Sequence, residues 1–271
     1  MQLDRKTGFG EKDLSQRTSE WIEAVDQGYL DYYVRQFQTP YHSTIAFAEW
    51  LRTLGVPATN AVVADIGCGA GAALNYLAGE FPKAIFRGID ISESLINIGR
   101  KLVGRANASL LVGDLYNLGP MHKNSYDGVI SLQTLSWLPN FQEPLRAICA
   151  LNPSWIALSS LFYDGPVSCS IEVQDYTQPL KGQSYKQAFY NIYSLPLVEK
   201  ALEDLGYSNF SSHRFELDVD LTRPANRGMG TYTETLVSGA RLQISGPLLM
   251  SWYFVFSQKK GSETEQGAHE K

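Results

Sequence analysis

The chain has 271 residues, 44% of them hydrophobic and 19% charged, and it carries a net charge of −5 with a pI near 5.4. That is ordinary globular composition, long enough to bury a sizeable core and suited to one large α/β domain with additions. The acidic balance offers no basic field to collect a nucleic acid by counterion release, and no apolar stretch approaches the ~18 residues of a membrane span.

The three cysteines, Cys68, Cys149 and Cys169, form no C-x-x-C pair and no even framework. This pattern suggests a reducing compartment and no structural zinc. The polar N-terminus, MQLDRKTGFGEKD, lacks an apolar signal core. A soluble cytoplasmic protein is expected, with no nucleic-acid or membrane partner. The sequence leaves its oligomeric state open.

Along the chain, Trp21, Ile22, Val25, Tyr29, Leu30, Tyr33 and Val34 recur at three and four, which predicts an amphipathic helix or helix pair over 13–37. A second helix is expected over 41–54, stopped by Gly55 and Pro57. The rhythm then changes. Short apolar runs at 61–66, 84–90, 109–114, 126–133 and 155–163 read as strands. Helical segments at 72–81, 93–103 and 143–151 separate them, with Ser92 as the expected cap of the second. Strands alternating with helices predict a parallel sheet with crossover helices.

After Tyr163 the alternation stops. Residues 164–190 are polar and show no period, 194–207 is helical, and 210–220 alternates like a strand. Residues 221–247 are Gly-rich and hold Arg223, Arg227 and Arg241, and 248–258 is a strong strand. The last two strands are expected to form an antiparallel hairpin added to the parallel sheet. The apolar-poor tail 259–271 is expected to be disordered.

The stretch VVADIGCGAGAAL joins the first strand to a helix, with Gly67, Gly69 and Gly71 in alternation. Such a turn and the helix N-terminus behind it can meet a polar or anionic group. The same letters fit G-x-G-x-x-A, with Ala72 last, so a nicotinamide dinucleotide is one reading. Asp65 argues against it, because a carboxylate beside the turn repels a pyrophosphate, whereas a sulfonium and an ammonium favour it. Asp90, about 20 residues past the turn, can grip both ribose hydroxyls of an adenosine in either ligand class. Asp114 ends the third strand and can lie at the adenine edge. In an open α/β sheet these three carboxylates converge on one crevice at the strand ends.

Taken with GIDIS, GDLYNL and YDGVISLQTLSWLPNFQEPLRAICALNP, this stretch resembles the successive motifs of class I S-adenosylmethionine-dependent methyltransferases of the small-molecule type, over about 57–163. The resemblance implies an α/β fold: a doubly wound, mostly parallel, seven-stranded Rossmann-like sheet with a reversed last strand. It implies an N-terminal helical lid over 1–56 and a methyltransferase domain over 57–258. Lid insertions would fall near 164–190 and 221–247. Asp65, Gly67, Cys68, Gly69 and Gly71 would line the methionine part of the cofactor. Asp90 would hold the ribose, Ile91, Asp114 and Leu115 would meet the adenine, and Gln133 and Thr134 would sit near the methyl donor. The lid entry QTPYHSTIAFAEWL suggests Tyr33 and Tyr41 near the methionine group and His42 as a base.

The methyl acceptor is read from what covers the strand ends. Trp137 would wall its pocket. Tyr176 and Tyr185 belong to a set of tyrosines that also includes Tyr29, Tyr32, Tyr190 and Tyr193, and such rings can surround an amine or simply pack as a lid. Arg241 would grip a phosphate or carboxylate. The segment after the fourth strand, SLQTLSWLP, lacks the D/N-P-P-Y/F tetrapeptide of nucleic-acid amino methylators. A small metabolite is therefore the expected acceptor, through nitrogen or oxygen. The histidines show no metal-ligand spacing, so no metal is expected. The alternatives are an NAD(P)-dependent oxidoreductase and a protein that binds S-adenosylmethionine without catalysis.

Overall fold

Five short apolar runs set the architecture, and the central three bury both faces. The computed structural model describes residues 27–119, 122–176, 184–225, 230–245, 248–249 and 252–261. Strands β1 (Val62–Ile66), β2 (Ile85–Asp90), β3 (Ala108–Val112), β4 (Gly128–Leu132) and β5 (Trp155–Tyr163) run parallel. Two later strands, β9 (Tyr207–Phe215) and β13 (Trp252–Lys259), complete the order β3-β2-β1-β4-β5-β13-β9. Strand β13 is antiparallel to both its neighbours. This is the seven-stranded, mostly parallel sheet with a reversed last strand expected from the sequence. The chain winds outward from β1 through β2 to β3, then returns to place β4 on the other side of β1. That reversal opens a crevice at the carboxyl ends of β1 and β4.

Helices cover both faces. Alternating residues of each strand divide the core, as Val63 and Ala64 do on β1. One layer packs Phe47, Ala48 and Leu51 of α2 (His42–Thr53) and Leu74 and Leu77 of α3 (Ala72–Glu80) against Val63, Phe86 and Phe254. Ile96 of α4 (Glu93–Leu102) joins this layer. The opposite layer packs α5 (Gln142–Ala150) and α6 (Leu195–Asp204) against Ala64, Val129, Ile156 and Val255. Helix α2 is thus bedded in the sheet's own core rather than resting on it. Ser92 caps α4 by accepting from the Leu95 amide at 3.3 Å.

The remaining helix, α1 (Gln27–Gln38), packs against α3 and α4. The expected helical stretch 13–26 and the expected disordered tail at 262–271 lie outside the described residues. No helix among the described residues is long and apolar enough to cross a membrane.

The two segments expected to be lid insertions contain β ribbons. In the first, β6 (Glu172–Asp175) pairs with β7 (Lys186–Phe189), and β8 (Tyr193–Ser194) then adds to β5. In the second, β10 (Thr231–Thr235), β11 (Arg241–Ser245) and β12 (Leu248–Leu249) form a three-stranded sheet. Runs such as EVQD and TYTET carry polar side chains on both faces, so they give no alternating signal. The final pair is therefore no tight hairpin: the second ribbon is inserted between β9 and β13. The expected strand 248–258 is also two strands, β12 on the ribbon and β13 in the main sheet.

Candidate active site

The turn after β1 needs its glycines. Gly67 lies at φ +74°, and a Cβ there would fall 2.4 Å from Thr134 Oγ1. Thr134 uses that closeness, donating its hydroxyl to Gly67 O at 3.2 Å. Gly69 lies at φ +56° with nothing within 4 Å of a built Cβ, so the backbone itself forms the surface here. The Gly67 amide donates to Ile89 O at 2.8 Å, tying the turn to the end of β2.

Asp90 ends β2 under this turn. Its carboxylate accepts the Gly69 amide at 2.7 Å and the Ser92 amide at 2.9 Å. Burial pushes its pKa up, and these backbone donors offset part of that rise. Asp65 is 1% exposed, and its Oδ1 has no hydrogen-bond partner among the described residues. Burial, and then the charge of Asp90, push its pKa up to about 7. The Cys68 thiol is also pushed up, by burial first and then by Asp65 and Asp90, so it stays protonated and unreactive at neutral pH. Asp114 lies beyond the end of β3, where it caps the 3-10 turn Leu115–Asn117. Its carboxylate accepts the Tyr116 amide at 3.0 Å and Asn117 Nδ2 at 2.6 Å.

Beyond the strand ends lies a cavity of about 330 Å³. Gly67, Cys68, Gly69, Asp90, Ile91, Asp114, Leu115, Gln133 and Thr134 line it from the sheet side, and Tyr33, Tyr41 and Trp137 complete the predicted set on its wall. Asp65 and Gly71 are not on the wall. Asp65 is buried at the end of β1, and Gly71 caps α3. His42 is exposed at the start of α2, outside the cavity wall. Tyr176 and Tyr185 pack against each other on the first ribbon, tilted by 55° with centroids 5.4 Å apart, and do not line the cavity. Arg241 is held on the second ribbon by Asp220 at 3.0 Å and by Leu217 O at 3.2 Å. The Arg227 candidate lies outside the described residues.

Gln133 lies at φ +57°, a left-handed backbone unusual for a side chain this size. Its amide donates to Ser159 O at 2.7 Å and its Nε2 to Ser43 Oγ at 3.1 Å, so it joins β4, β5 and α2. Trp137 packs against buried Tyr190 at 4.6 Å. The sequence named Tyr32 among the tyrosines over the strand ends but did not point to Gln36, and both line the wall. Their spacing of four on α1, one turn apart, was the available signal.

An S-adenosylmethionine fits this set of groups. The unpartnered oxygen of Asp65 and the carboxylates of Asp90 and Asp114 suit a ligand that brings positive charge and a ribose. A pyrophosphate would meet the same carboxylates as like charges.

Residues 64–151 match a family described as a methyltransferase domain. The malonyl-[acyl-carrier protein] O-methyltransferase of Priestia megaterium is 28% identical over 160 residues, 57% of this chain and 58% of that protein. The trans-aconitate 2-methyltransferase of Mycobacterium tuberculosis is 31% identical over 119 residues, 43% of each chain. This chain thus matches about half the length of these curated relatives. The crystal structure of the YcgJ protein from Bacillus subtilis superposes with a TM-score of 0.55 at 13% identity, covering 81% of this chain and 99% of that one. The matched segment spans β1 to α5, and the strand order around it, with its reversed seventh strand, is that of the Rossmann-like methyltransferase fold.

Proposed function

We propose that this protein transfers a methyl group from S-adenosylmethionine to an oxygen or nitrogen of a small-molecule metabolite. The observation that carries this reading is the buried carboxylate pair, Asp65 and Asp90, beneath a glycine turn at the point where the sheet order reverses. When bound, S-adenosylmethionine supplies a methyl group made electrophilic by its sulfonium. The chain's own residues bind and orient. Asp90 takes the ribose hydroxyls while its bonds to Gly69 and Ser92 hold it in place. Asp65 favours the cofactor's positive charge from beneath the turn. Leu115 and Ile91 pack on the adenine. Gln133, Thr134 and Trp137 close the crevice beside the methyl group, which keeps water from competing with the acceptor.

A small acceptor agrees with the cavity volume of about 330 Å³, which falls in the ~300–1,000 Å³ range of small-molecule sites. It also agrees with the relatives, whose names give a malonyl group and trans-aconitate as what they methylate. A carboxylate acceptor brings no proton to remove, which suits a cavity that His42 does not reach. The free thiols of Cys68, Cys149 and Cys169 support a reducing, cytoplasmic setting.

Titration calorimetry with S-adenosylhomocysteine tests the cofactor assignment, and absence of binding to the wild-type chain refutes it. Radiolabelled methyl transfer into a metabolite extract tests the reaction. A chain that binds the cofactor product but labels nothing is a binding protein and not an enzyme.

A further inference from the structure

The lid side of the cavity carries a polar cluster around Tyr41, a residue that the sequence placed near the methionine group of the cofactor. Tyr32 of α1 and Tyr41, which precedes α2, place their hydroxyls 2.5 Å apart, and Gln36 Nε2 donates to the Tyr41 hydroxyl at 2.6 Å. All three residues line the cavity.

Two phenols bring two protons. The bond between them uses one, in whichever direction it runs. Gln36 bonds to both hydroxyls as a donor and takes neither proton. The second proton has no acceptor among the described residues, so the pair offers one hydroxyl donor to whatever fills the cavity. Burial raises the pKa of both phenols, so neither loses its proton near neutral pH. The Gln36 amide fixes the pair further by occupying an acceptor position on Tyr41. A donor already aligned by two hydrogen bonds pairs best with a carbonyl or, through a charge-assisted bond, a carboxylate.

The methionine carboxylate of the cofactor is one source of such an oxygen, and the methyl acceptor is the other. The first has donors elsewhere. Ala72 and Ala73 open α3 and line the cavity, and first-turn amides of a helix have no partner within it. The tyrosine pair sits on the N-terminal segment rather than on the glycine turn. We propose that Tyr32 and Tyr41, aligned by Gln36, select the methyl acceptor by binding a carbonyl or carboxylate oxygen on it. This rests on the methyltransferase reading above.

The test uses the full chain, with Tyr32→Phe, Tyr41→Phe and the double variant, each of which removes a hydroxyl and keeps the ring. S-adenosylhomocysteine and 5′-methylthioadenosine, which lacks the methionine carboxylate, are titrated first. A panel of small mono- and dicarboxylic acids, with the matching amines and alcohols, is then titrated into the S-adenosylhomocysteine complex.

The wild-type complex is expected to take up acids in preference to their amine and alcohol counterparts. The double variant is expected to weaken that uptake at least tenfold, while both adenosine ligands bind within twofold of wild type. Uptake of amines and alcohols as well as the acids, uptake of none of the acids, or unchanged acid binding in the double variant overturns the proposal. Weakened S-adenosylhomocysteine with unchanged methylthioadenosine also overturns it, by assigning the pair to the methionine carboxylate. Failure of wild-type protein to bind S-adenosylhomocysteine at all defeats the methyltransferase reading itself, and is told apart by that first titration.

Discussion

Asp65 stands one pleat short of Asp90 on the same face of adjacent parallel strands, because Asp65 registers with Gly88 across β1 and β2. Both carboxylates are therefore buried on one face at the strand ends, Asp90 on the cavity wall and Asp65 behind it, with an Asp65 oxygen that has no partner among the described residues. Burial and the neighbouring charge give Asp65 a native pKa of about 7, against an ordinary value of 3.8.

This arrangement makes stability depend on pH with a definite sign. The native chain keeps the Asp65 proton to higher pH than the unfolded chain does. Its contribution is full below the ordinary carboxylate range and is lost as pH rises through about 7. This group alone accounts for a decline of roughly 4 kcal/mol across that window. Denaturant titrations of ligand-free protein at a series of pH values should show the decline, with a shallower slope in Asp65→Asn. Equal slopes in the two proteins would show that Asp65 does not hold its proton.

Cofactor binding should answer the same group in the opposite direction. A cationic ligand favours the ionised carboxylate, so affinity for S-adenosylmethionine is expected to rise between pH 6 and 8. Binding near pH 6 should release a proton. Calorimetry in two buffers of different ionisation enthalpy measures that release, and Asp65→Asn should abolish it.

Asp90 holds the turn as well as the ligand. Asp90→Ala removes the acceptor of two amides and leaves Gly69 and Ser92 without it. A cost of roughly 1–3 kcal/mol in stability is expected, together with a loss of S-adenosylhomocysteine affinity of about 30-fold or more. Asp90→Asn keeps one acceptor oxygen and should fall between the two. Thermal melts and calorimetry on both variants check the order.

Gly67 and Gly69 should behave differently although both are left-handed. Gly67→Ala meets Thr134 as well as the φ penalty and should cost roughly 1–3 kcal/mol. Thr134→Ala in the same chain should recover part of that loss. Gly69→Ala meets open space, so its stability cost should be the smaller, about 1 kcal/mol, and its main effect should be on ligand affinity because the new methyl stands on the cavity wall. Denaturation and ligand titration of the three variants separate the two effects.

The strands β1 to β5 were legible in the sequence because each is a short apolar run followed by a helical period or a turn signal. Asp65 and Asp90 were legible because they end such runs. Asp114 was placed in the crevice, but its carboxylate is also committed to the amide of Tyr116 and the side chain of Asn117, bonds that follow from the local 3-10 turn rather than from any strand pattern. The ribbons β6–β7 and β10–β11 were hidden because β6 and β10 carry polar side chains on both faces, and the alternation in RLQIS of β11 lay inside a Gly-rich segment. The hydroxyl contact of Tyr32 with Tyr41 was hidden for another reason: it bridges a break between two helices, where periodicity carries no information. Tyr176, Tyr185 and Arg241 carry residue types suited to a substrate, yet they bind their own ribbons, a choice made by tertiary packing.

The place of β13 has a consequence for the order of events on the ribosome. This strand, the last of the sheet to be made, lies between β5 and β9, and its Phe254 meets Phe47 of α2 at 5.2 Å. Until it emerges, the inner edges of β5 and β9 have no neighbour and the aromatic bed of α2 is incomplete. Between the synthesis of β5 and that of β13 the chain therefore has an open sheet edge and an incompletely covered apolar helix face. Such surfaces pair with other chains.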